Sequence, residues 1–212
     1  MTLPYDQSAA TSCDFGYGLH AIKSTYAAQK PLWVYVLDGD SCLWVDAGIN
    51  VTPQDSVIPY LTTRVPDAWS RQQLVIITHA DVDHFGGLRG LQGRRPDTLV
   101  MAHEADREWI ESPALVLRER YLMHEADGIT VAKTRQDVLC ERGGGGCKVD
   151  LALAGNEYIR LGRAGNWQVL HSPGHSAGHI VLWEQERRWA IIGDAALDWG
   201  CLLYTSPSPR DS

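Results

Sequence analysis

Several features typical of other kinds of protein are missing from this sequence of 212 residues. No apolar run approaches the roughly 18 residues that a helix needs to cross a bilayer. The first residues, MTLPYDQSAATSCDFGYG, have neither the basic start nor the apolar stretch of a secretory signal. Five irregularly spaced cysteines are too few for a disulfide framework, although a bridge between Cys140 and Cys147 stays open. We therefore expect a cytoplasmic protein with no membrane association.

Basic residues are also scarce. Lys and Arg number 19 against 26 Asp and Glu, the formal charge is -7, and no window is rich in Lys or Arg. Enzymes that act on nucleic acid usually carry a basic stripe for the phosphates. The GxSxG turn of serine hydrolases is absent as well. We expect a small-molecule substrate and no nucleic acid, and the sequence does not indicate an oligomeric state.

The last residues differ from the rest of the chain. The segment 201–212, CLLYTSPSPRDS, has no amphipathic period and ends in a Ser/Pro run that cannot pack. It resembles a translated cloning adapter, and the alternative is an ordinary disordered tail. We predict one domain over residues 1–200 and a non-native or disordered tail over 201–212.

The hydrophobic pattern predicts strands and helices in mixed order. A hairpin with its turn at Asp38-Gly39 is followed by a helix that starts at Thr52-Pro53. A helical region, 103–141, contains a helix that begins at Ser112-Pro113 and is broken by Gly128. The predicted strands cover 33–37, 42–45, 74–77, 98–101, 157–161, 167–170, 180–183 and 190–192. Two packed sheets with helices outside, an αββα sandwich, is the architecture that this order favours.

Metal-ligand residues are concentrated directly after the apolar strand 74–77. His79, Asp81, Asp83 and His84 fall within six positions of the stretch THADVDHFGG. Two carboxylates and two imidazoles this close repel or compete unless a cation holds them. The alternative is a polar loop with solvated charges.

Three more predicted strand ends carry groups of the same kind. His175 follows a Pro-Gly turn in SPGHSAGHI, Asp194 ends IIGDA, and Asp46 lies in VDAG. Strand ends that meet at one edge of a sandwich would bring these side chains together. The pattern therefore predicts a metal site at that edge.

These four stretches together resemble the metallo-β-lactamase superfamily, over about residues 30–200. PGHSAGH is similar to its glyoxalase II and lactonase-like branch. The resemblance implies a four-layer αββα sandwich and two divalent transition metal ions, zinc first, with iron or manganese as alternatives. It assigns His79, Asp81 and His175 to metal one, Asp83 and His84 to metal two, Asp194 to both, and Asp46 to a supporting position.

The sequence departs from the family pattern at two points. Asp81 stands where the family has histidine, and no histidine follows His179 to complete metal two. We therefore expect the sandwich to be truncated at its C-terminus. We hypothesise that Asp81 is a true ligand that favours iron or manganese, the alternative being that it points away. His171 and His179 match no ligand position, and we expect them to be structural.

The resemblance implies a metal-dependent hydrolase in which a metal-bound hydroxide attacks an ester, thioester or lactone carbonyl. Asp83 would orient the hydroxide and take its proton. One alternative is a di-iron redox enzyme related to flavodiiron proteins, which carry a carboxylate at the position of Asp81. Another is a degenerate fold member without catalysis. Five residues are candidates for pocket walls, although each suits an ordinary helix equally well: Trp109, Arg118, Arg120, Tyr121 and His124.

Overall fold

The computed structural model describes residues 12–27 and 30–196, so the predictions for the residues before 12 and for the tail 201–212 lie outside it. Seven strands form one sheet, in the order of the chain. They are β1 Cys13–Asp14, β2 Leu19–Ala27, β3 Lys30–Asp38, β4 Cys42–Val45, β5 Gln73–Ile77, β6 Leu99–His103 and β7 Leu151–Leu153. The pairs from β1 to β4 are antiparallel, and those from β4 to β7 are parallel.

The second sheet has four antiparallel strands in the order β11-β10-β9-β8. Its strands are β8 Tyr158–Arg160, β9 Asn166–His171, β10 Ile180–Glu184 and β11 Trp189–Ile191. A backbone hydrogen bond of 2.9 Å from Ile180 N to Thr78 O joins the start of β10 to the end of β5. The two sheets therefore meet at the edge where the parallel strands end.

Short helices fill the connections. They are α1 Ile58–Arg64, α2 Pro66–Ser70, α3 Val82–Phe85, α4 Leu88–Arg94, α5 Arg107–Glu111, α6 Pro113–Val116 and α7 Lys133–Arg142. Single π-helical turns cover Pro53–Val57 and Leu117–Tyr121, and 3₁₀ turns cover Glu104–Asp106, Glu125–Asp127 and Gly162–Ala164. Across the residues described, no helix has both the length and the apolar character needed to cross a membrane.

Two hydrophobic clusters show how the layers stack. Alternate residues of the large sheet, such as Trp44 and Val75, pack against the helices in the first cluster. Their neighbours, such as Leu43 and Ile76, face Trp167 of the small sheet in the second cluster. Within the described ranges, the α-helical residues of the core all belong to the first cluster. The predicted mixed α/β sandwich is confirmed, with its helical layer on the outer face of the large sheet.

Some local predictions need correction. The helix that begins at Pro113 passes into a π-helical turn and ends at Tyr121, and the region 103–141 is a series of short segments. Strands β1, β2 and β7 were not predicted. Cys140 and Cys147 are both free thiols, so the bridge that was left open is not formed here.

Candidate metal centre

The loop after β5 is shaped by two close backbone contacts. A side chain on Gly86 would meet the carbonyl oxygen of Arg142, and one on Gly87 would meet that of Ala47, at 1.9 and 2.2 Å from Cβ. Gly87 has an ordinary helical φ of -76°. The two glycines are therefore required for close packing of this loop, and not for an unusual backbone conformation.

Asp46 forms the base of the site. It is buried, with a φ of +65°, directly after β4. Its carboxylate accepts hydrogen bonds from the Thr78 backbone N–H at 2.7 Å, from the Thr78 hydroxyl at 2.9 Å and from His84 Nδ1 at 2.8 Å. Burial raises the pKa of Asp46, but the interactions with His84, His79 and the Thr78 backbone together outweigh it and leave this pKa below its usual value. Asp46 is therefore a carboxylate. Its hydrogen bonds hold the loop after β5, residues 78–87, which we call the first ligand loop.

These hydrogen bonds decide which ring nitrogens face the site. The Thr78 hydroxyl donates its single hydrogen to Asp46, so at 3.0 Å it accepts from His79 Nδ1. His79 therefore carries its proton on Nδ1 and keeps the lone pair of Nε2. Burial lowers the pKa of His84, but the neighbouring Asp46 carboxylate raises it to about 10, so without a metal His84 is protonated on both ring nitrogens. A metal at His84 has to displace the proton on Nε2, and this leaves the remaining proton on Nδ1, toward Asp46. That is the tautomer that binds a metal through Nε2.

A first set of possible ligands consists of His79, Asp81 and His175. Asp81 Oδ2 lies 3.3 Å from His79 Nε2 and 2.9 Å from His175 Nε2. Ligand atoms at about 2.05 Å from a tetrahedral metal lie about 3.3 Å apart, so this set is close to the required size. His79 Nε2 is buried and has no hydrogen-bond partner, which a metal ion would supply.

A second set consists of His79, His84 and Asp194. Asp194 Oδ1 lies 3.6 Å from His84 Nε2, and its other oxygen lies 3.8 Å from His175 Nε2. The imidazole rings of His79 and His84 have centroids 4.0 Å apart. One oxygen of Asp194 therefore faces a residue of each set, and its bridging role stays a prediction.

The structure brings together five of the six predicted ligands, and Asp83 belongs to neither set. Asp83 is half-buried at the first turn of α3. Its assignment to metal two and to catalysis therefore stays a prediction.

The two histidines that we expected to be structural lie outside both sets. His171 stacks on His103 with centroids 4.0 Å apart and bonds the carbonyl of Ala177 at 2.8 Å. His179 is fully buried 5.2 Å from the His79 ring, and neither of its ring nitrogens has a hydrogen-bond partner. Burial, with smaller contributions from His79 and His175, lowers the pKa of His179 to about 4.

The sequence analysis missed one residue that joins the first ligand loop to the loop between β9 and β10, residues 172–179, which we call the second ligand loop. Asp106 is buried and accepts hydrogen bonds from the Ala80 N–H at 2.9 Å, the Ser176 hydroxyl at 2.6 Å and the Gly178 N–H at 2.7 Å. The available signal was its position three residues after the end of β6, the strand parallel to β5. A carboxylate there reaches the same edge of the sheet.

Arg120 and Tyr121 were proposed only as pocket walls, yet both bond Asp81. The Arg120 guanidinium donates to both oxygens of Asp81, and the Tyr121 hydroxyl donates to Oδ1 at 3.0 Å. Burial raises the pKa of Asp81, but its hydrogen bonds to His175 and Arg120 and the nearby ring of His79 bring this pKa well below its usual range. Asp81 is therefore a carboxylate at neutral pH, as a ligand must be.

The donor set fits a divalent cation. Burial lowers the pKa of His79, helped by the neighbouring His84, so His79 is a neutral imidazole. Neutral imidazoles combined with carboxylates suit zinc, iron or manganese. Held at one edge, such ions would polarise a carbonyl oxygen and activate water.

Two hydroxyacylglutathione hydrolases are similar in sequence to parts of this chain. A hydroxyacylglutathione hydrolase from Cereibacter sphaeroides is 28% identical over 118 residues, which is 52% of this chain and 44% of that protein. A hydroxyacylglutathione hydrolase from Bdellovibrio bacteriovorus is 24% identical over 173 residues, 80% of this chain and 50% of that protein. The chain thus spans half or less of the length of these curated relatives.

Among solved structures, a metallo-beta-lactamase family protein from Thermus thermophilus superimposes with a TM-score of 0.66 at 20% identity, over 87% of this chain and 61% of that chain. At this identity the likeness concerns the fold alone. The sequence profile of the metallo-beta-lactamase superfamily matches residues 29–211. On the strength of that match, which spans most of the chain, the protein belongs to the metallo-beta-lactamase superfamily.

Proposed function

We propose that this protein is a metal-dependent hydrolase that acts on an ester, thioester or lactone carbonyl of a small molecule. The observation that carries the proposal is the pair of ligand sets that share His79, with Asp194 directed at both. Membership of the superfamily and the similarity to two hydroxyacylglutathione hydrolases support a hydrolytic reaction. The cytoplasm stays the expected location.

The proposed centre holds two divalent metal ions. Metal one would be held by His79, Asp81 and His175, metal two would be held by His84 and Asp83, and Asp194 would be shared between the two. When bound, such ions activate water and polarise the carbonyl under attack. Zinc is the first expectation, and the carboxylate of Asp81 keeps iron and manganese as alternatives because hard oxygen ligands favour them.

The residues of the chain have separate tasks in this proposal. Asp46 and Thr78 keep His84 and His79 in the tautomers whose Nε2 lone pairs face the metals. Asp83, half-buried beside them, orients the attacking water and accepts its proton. Asp194, whose two oxygens face His84 and His175, would fix the distance between the two metal positions.

Metal removal tests the proposal directly. The protein is stripped with a chelator, reloaded separately with zinc, manganese or iron, and assayed on an S-acylglutathione thioester and on a simple lactone. We expect hydrolysis to disappear on stripping and to return with metal, and elemental analysis to find bound metal in the native protein. Full hydrolysis by metal-free protein would contradict the proposal.

A redox function is the second candidate, because Asp81 Oδ2 faces both His79 and His175 in the first set. A carboxylate at this point suits iron. A coloured, iron-containing protein that consumes oxygen or nitric oxide with a supplied electron donor, and hydrolyses neither probe, would favour this candidate. A colourless zinc protein that hydrolyses a probe would exclude it.

A further inference from the structure

Asp81 stands where the family pattern has histidine, and two neighbouring side chains donate hydrogen bonds to its carboxylate. The π-helical turn Leu117–Tyr121 places Arg120 and Tyr121 beside its carboxylate. Asp81 Oδ1 accepts from Arg120 Nε and from the Tyr121 hydroxyl, while Oδ2 accepts from Arg120 Nη2 at 2.9 Å. Oδ1 is thus occupied on the side away from the histidines, and Oδ2 is the oxygen that faces His175 and His79.

Arg120 also contacts the second ligand loop. Its Nη1 donates to the backbone carbonyl of His175 at 2.9 Å. Its side chain is only 17% exposed and its guanidinium lies 5.9 Å from the ring centre of Trp109. One side chain therefore contacts two candidate ligands of the first set and fixes them relative to each other.

The exchange of histidine for aspartate makes such a partner necessary. A carboxylate brings a full negative charge into a half-buried site, and a buried charge is costly unless it is paired and hydrogen-bonded. An arginine guanidinium stays protonated at any ordinary pH and matches both oxygens of a carboxylate. A neutral histidine at position 81 would need neither a positively charged partner nor a donor group that matches two oxygens.

We propose that Arg120 and Tyr121 are positioning residues that make Asp81 a metal ligand, by directing Oδ2 between His79 and His175 and by offsetting the added charge. This inference rests on the proposed function, since it assumes that the first set binds a metal.

A rival explanation is that the guanidinium takes the place of metal one. Arg120 Nη2 does lie 3.3 Å from His175 Nε2. However, His79 Nε2 is left without any hydrogen-bond partner, whereas a cation that replaced the metal would satisfy all three ligands. The geometry therefore favours a guanidinium that supports the ligand over one that substitutes for the metal.

Metal affinity, measured by competition with a chromogenic chelator, tests the proposal without any substrate. Arg120→Met should bind metal about 10- to 100-fold more weakly than the wild type, the usual effect of losing a partner of a ligand. Tyr121→Phe removes one hydroxyl and should weaken binding roughly five-fold. Arg118→Met is the matched control: Arg118 is 70% exposed and pairs with Glu119, so its loss should leave the affinity unchanged.

A double variant gives the sharper result. In the Asp81→His background, Arg120→Met should cost little or no metal affinity, because a neutral imidazole does not need a guanidinium partner. Equal losses in the wild-type and Asp81→His backgrounds would overturn the proposal and reduce Arg120 to a general structural role.

The outcomes separate this inference from the proposed function. A wild-type protein that binds no transition metal would refute the proposed function itself. Wild-type binding that is unchanged in both Arg120→Met and Tyr121→Phe would refute only the positioning role. A gain of one metal equivalent in Arg120→Met would establish the rival explanation. If Arg120→Met fails to fold, as judged by circular dichroism, Tyr121→Phe decides: unchanged affinity in that variant overturns the proposal.

Discussion

Replacement of Asp46 by asparagine should separate the metal-binding role of this residue from its role in stability. Asparagine has the same shape and tolerates a positive φ, so the backbone at +65° is not newly strained. The substitution removes the negative charge and replaces one acceptor oxygen by an NH₂ donor. The amide can still accept from the Thr78 N–H through its oxygen, but its NH₂ group then faces His84 Nδ1.

Two effects follow, and both can be estimated. His84 would receive a hydrogen bond on Nδ1 and so carry its proton on Nε2, which blocks the lone pair needed for the metal. Loss of such a tautomer-setting partner costs about 10- to 100-fold in metal affinity, or roughly 1.4 to 2.7 kcal/mol. Loss of a buried charged partner should also destabilise the metal-free protein by about 3 kcal/mol.

The assays are chelator competition for metal affinity and urea denaturation of the metal-free protein for stability. Asp38→Asn is the matched control, since Asp38 is equally buried and charge-paired, with Arg71 and Arg163, at the opposite end of β4. It should lose comparable stability and keep its metal affinity. If Asp46→Asn and the wild type bind metal equally well, the tautomer argument is wrong.

Other expected outcomes test separate parts of the structure. His175→Ala should lose about one metal equivalent by elemental analysis and His171→Ala none; equal losses would mean that the ligand assignment is wrong. Burial lowers the pKa of His179 from 6.5 to about 4, so the stability linked to it is complete above about pH 6.5 and falls as the pH drops toward 4. Metal-free wild type should thus lose about 2 kcal/mol more than His179→Leu between pH 7.5 and 5 in urea denaturation, and identical losses would refute this. Gly87→Ala should lower the melting temperature because the added Cβ would meet a backbone oxygen. Gly93 lies in open space on α4, so Gly93→Ala should raise the free energy of unfolding by about 0.5–1 kcal/mol and the melting temperature with it. The opposite order of melting temperatures would contradict the packing of the loop.

Local patterns in the sequence were enough to locate most of the centre. The apolar run of β5, the turn before His175 and the strand that precedes Asp194 each identify a strand end, and strand ends meet at one edge of a sandwich. This is why His79, His84, His175 and Asp194 could be chosen before any coordinates. The alternation of hydrophobic residues likewise predicted the hairpin of β3 and β4.

Where local signals are weak, the prediction failed. Strand β2, LHAIKSTYA, mixes polar and apolar residues, and β7 has only three residues. Each is a strand because a neighbour in the sheet pairs with it, and pairing between distant segments leaves little trace in a short stretch of sequence. The prediction for the helical region 103–141 failed for a related reason. The packing of its segments against the sheet decides where each segment ends.

The sequence by itself determined the kinds of candidate ligand at this edge of the sandwich and the strand ends that carry them, since these depend on residue type and on short-range periodicity. Only the tertiary structure decided that Asp106 joins the two ligand loops and that Arg120 and Tyr121 hold Asp81. Arg120 and Asp81 are 39 positions apart, and Asp106 and Gly178 are 72 positions apart. Contacts of that range arise from how β5, β6 and β9 stack at a common edge, and no local pattern encodes which polar side chain will meet which.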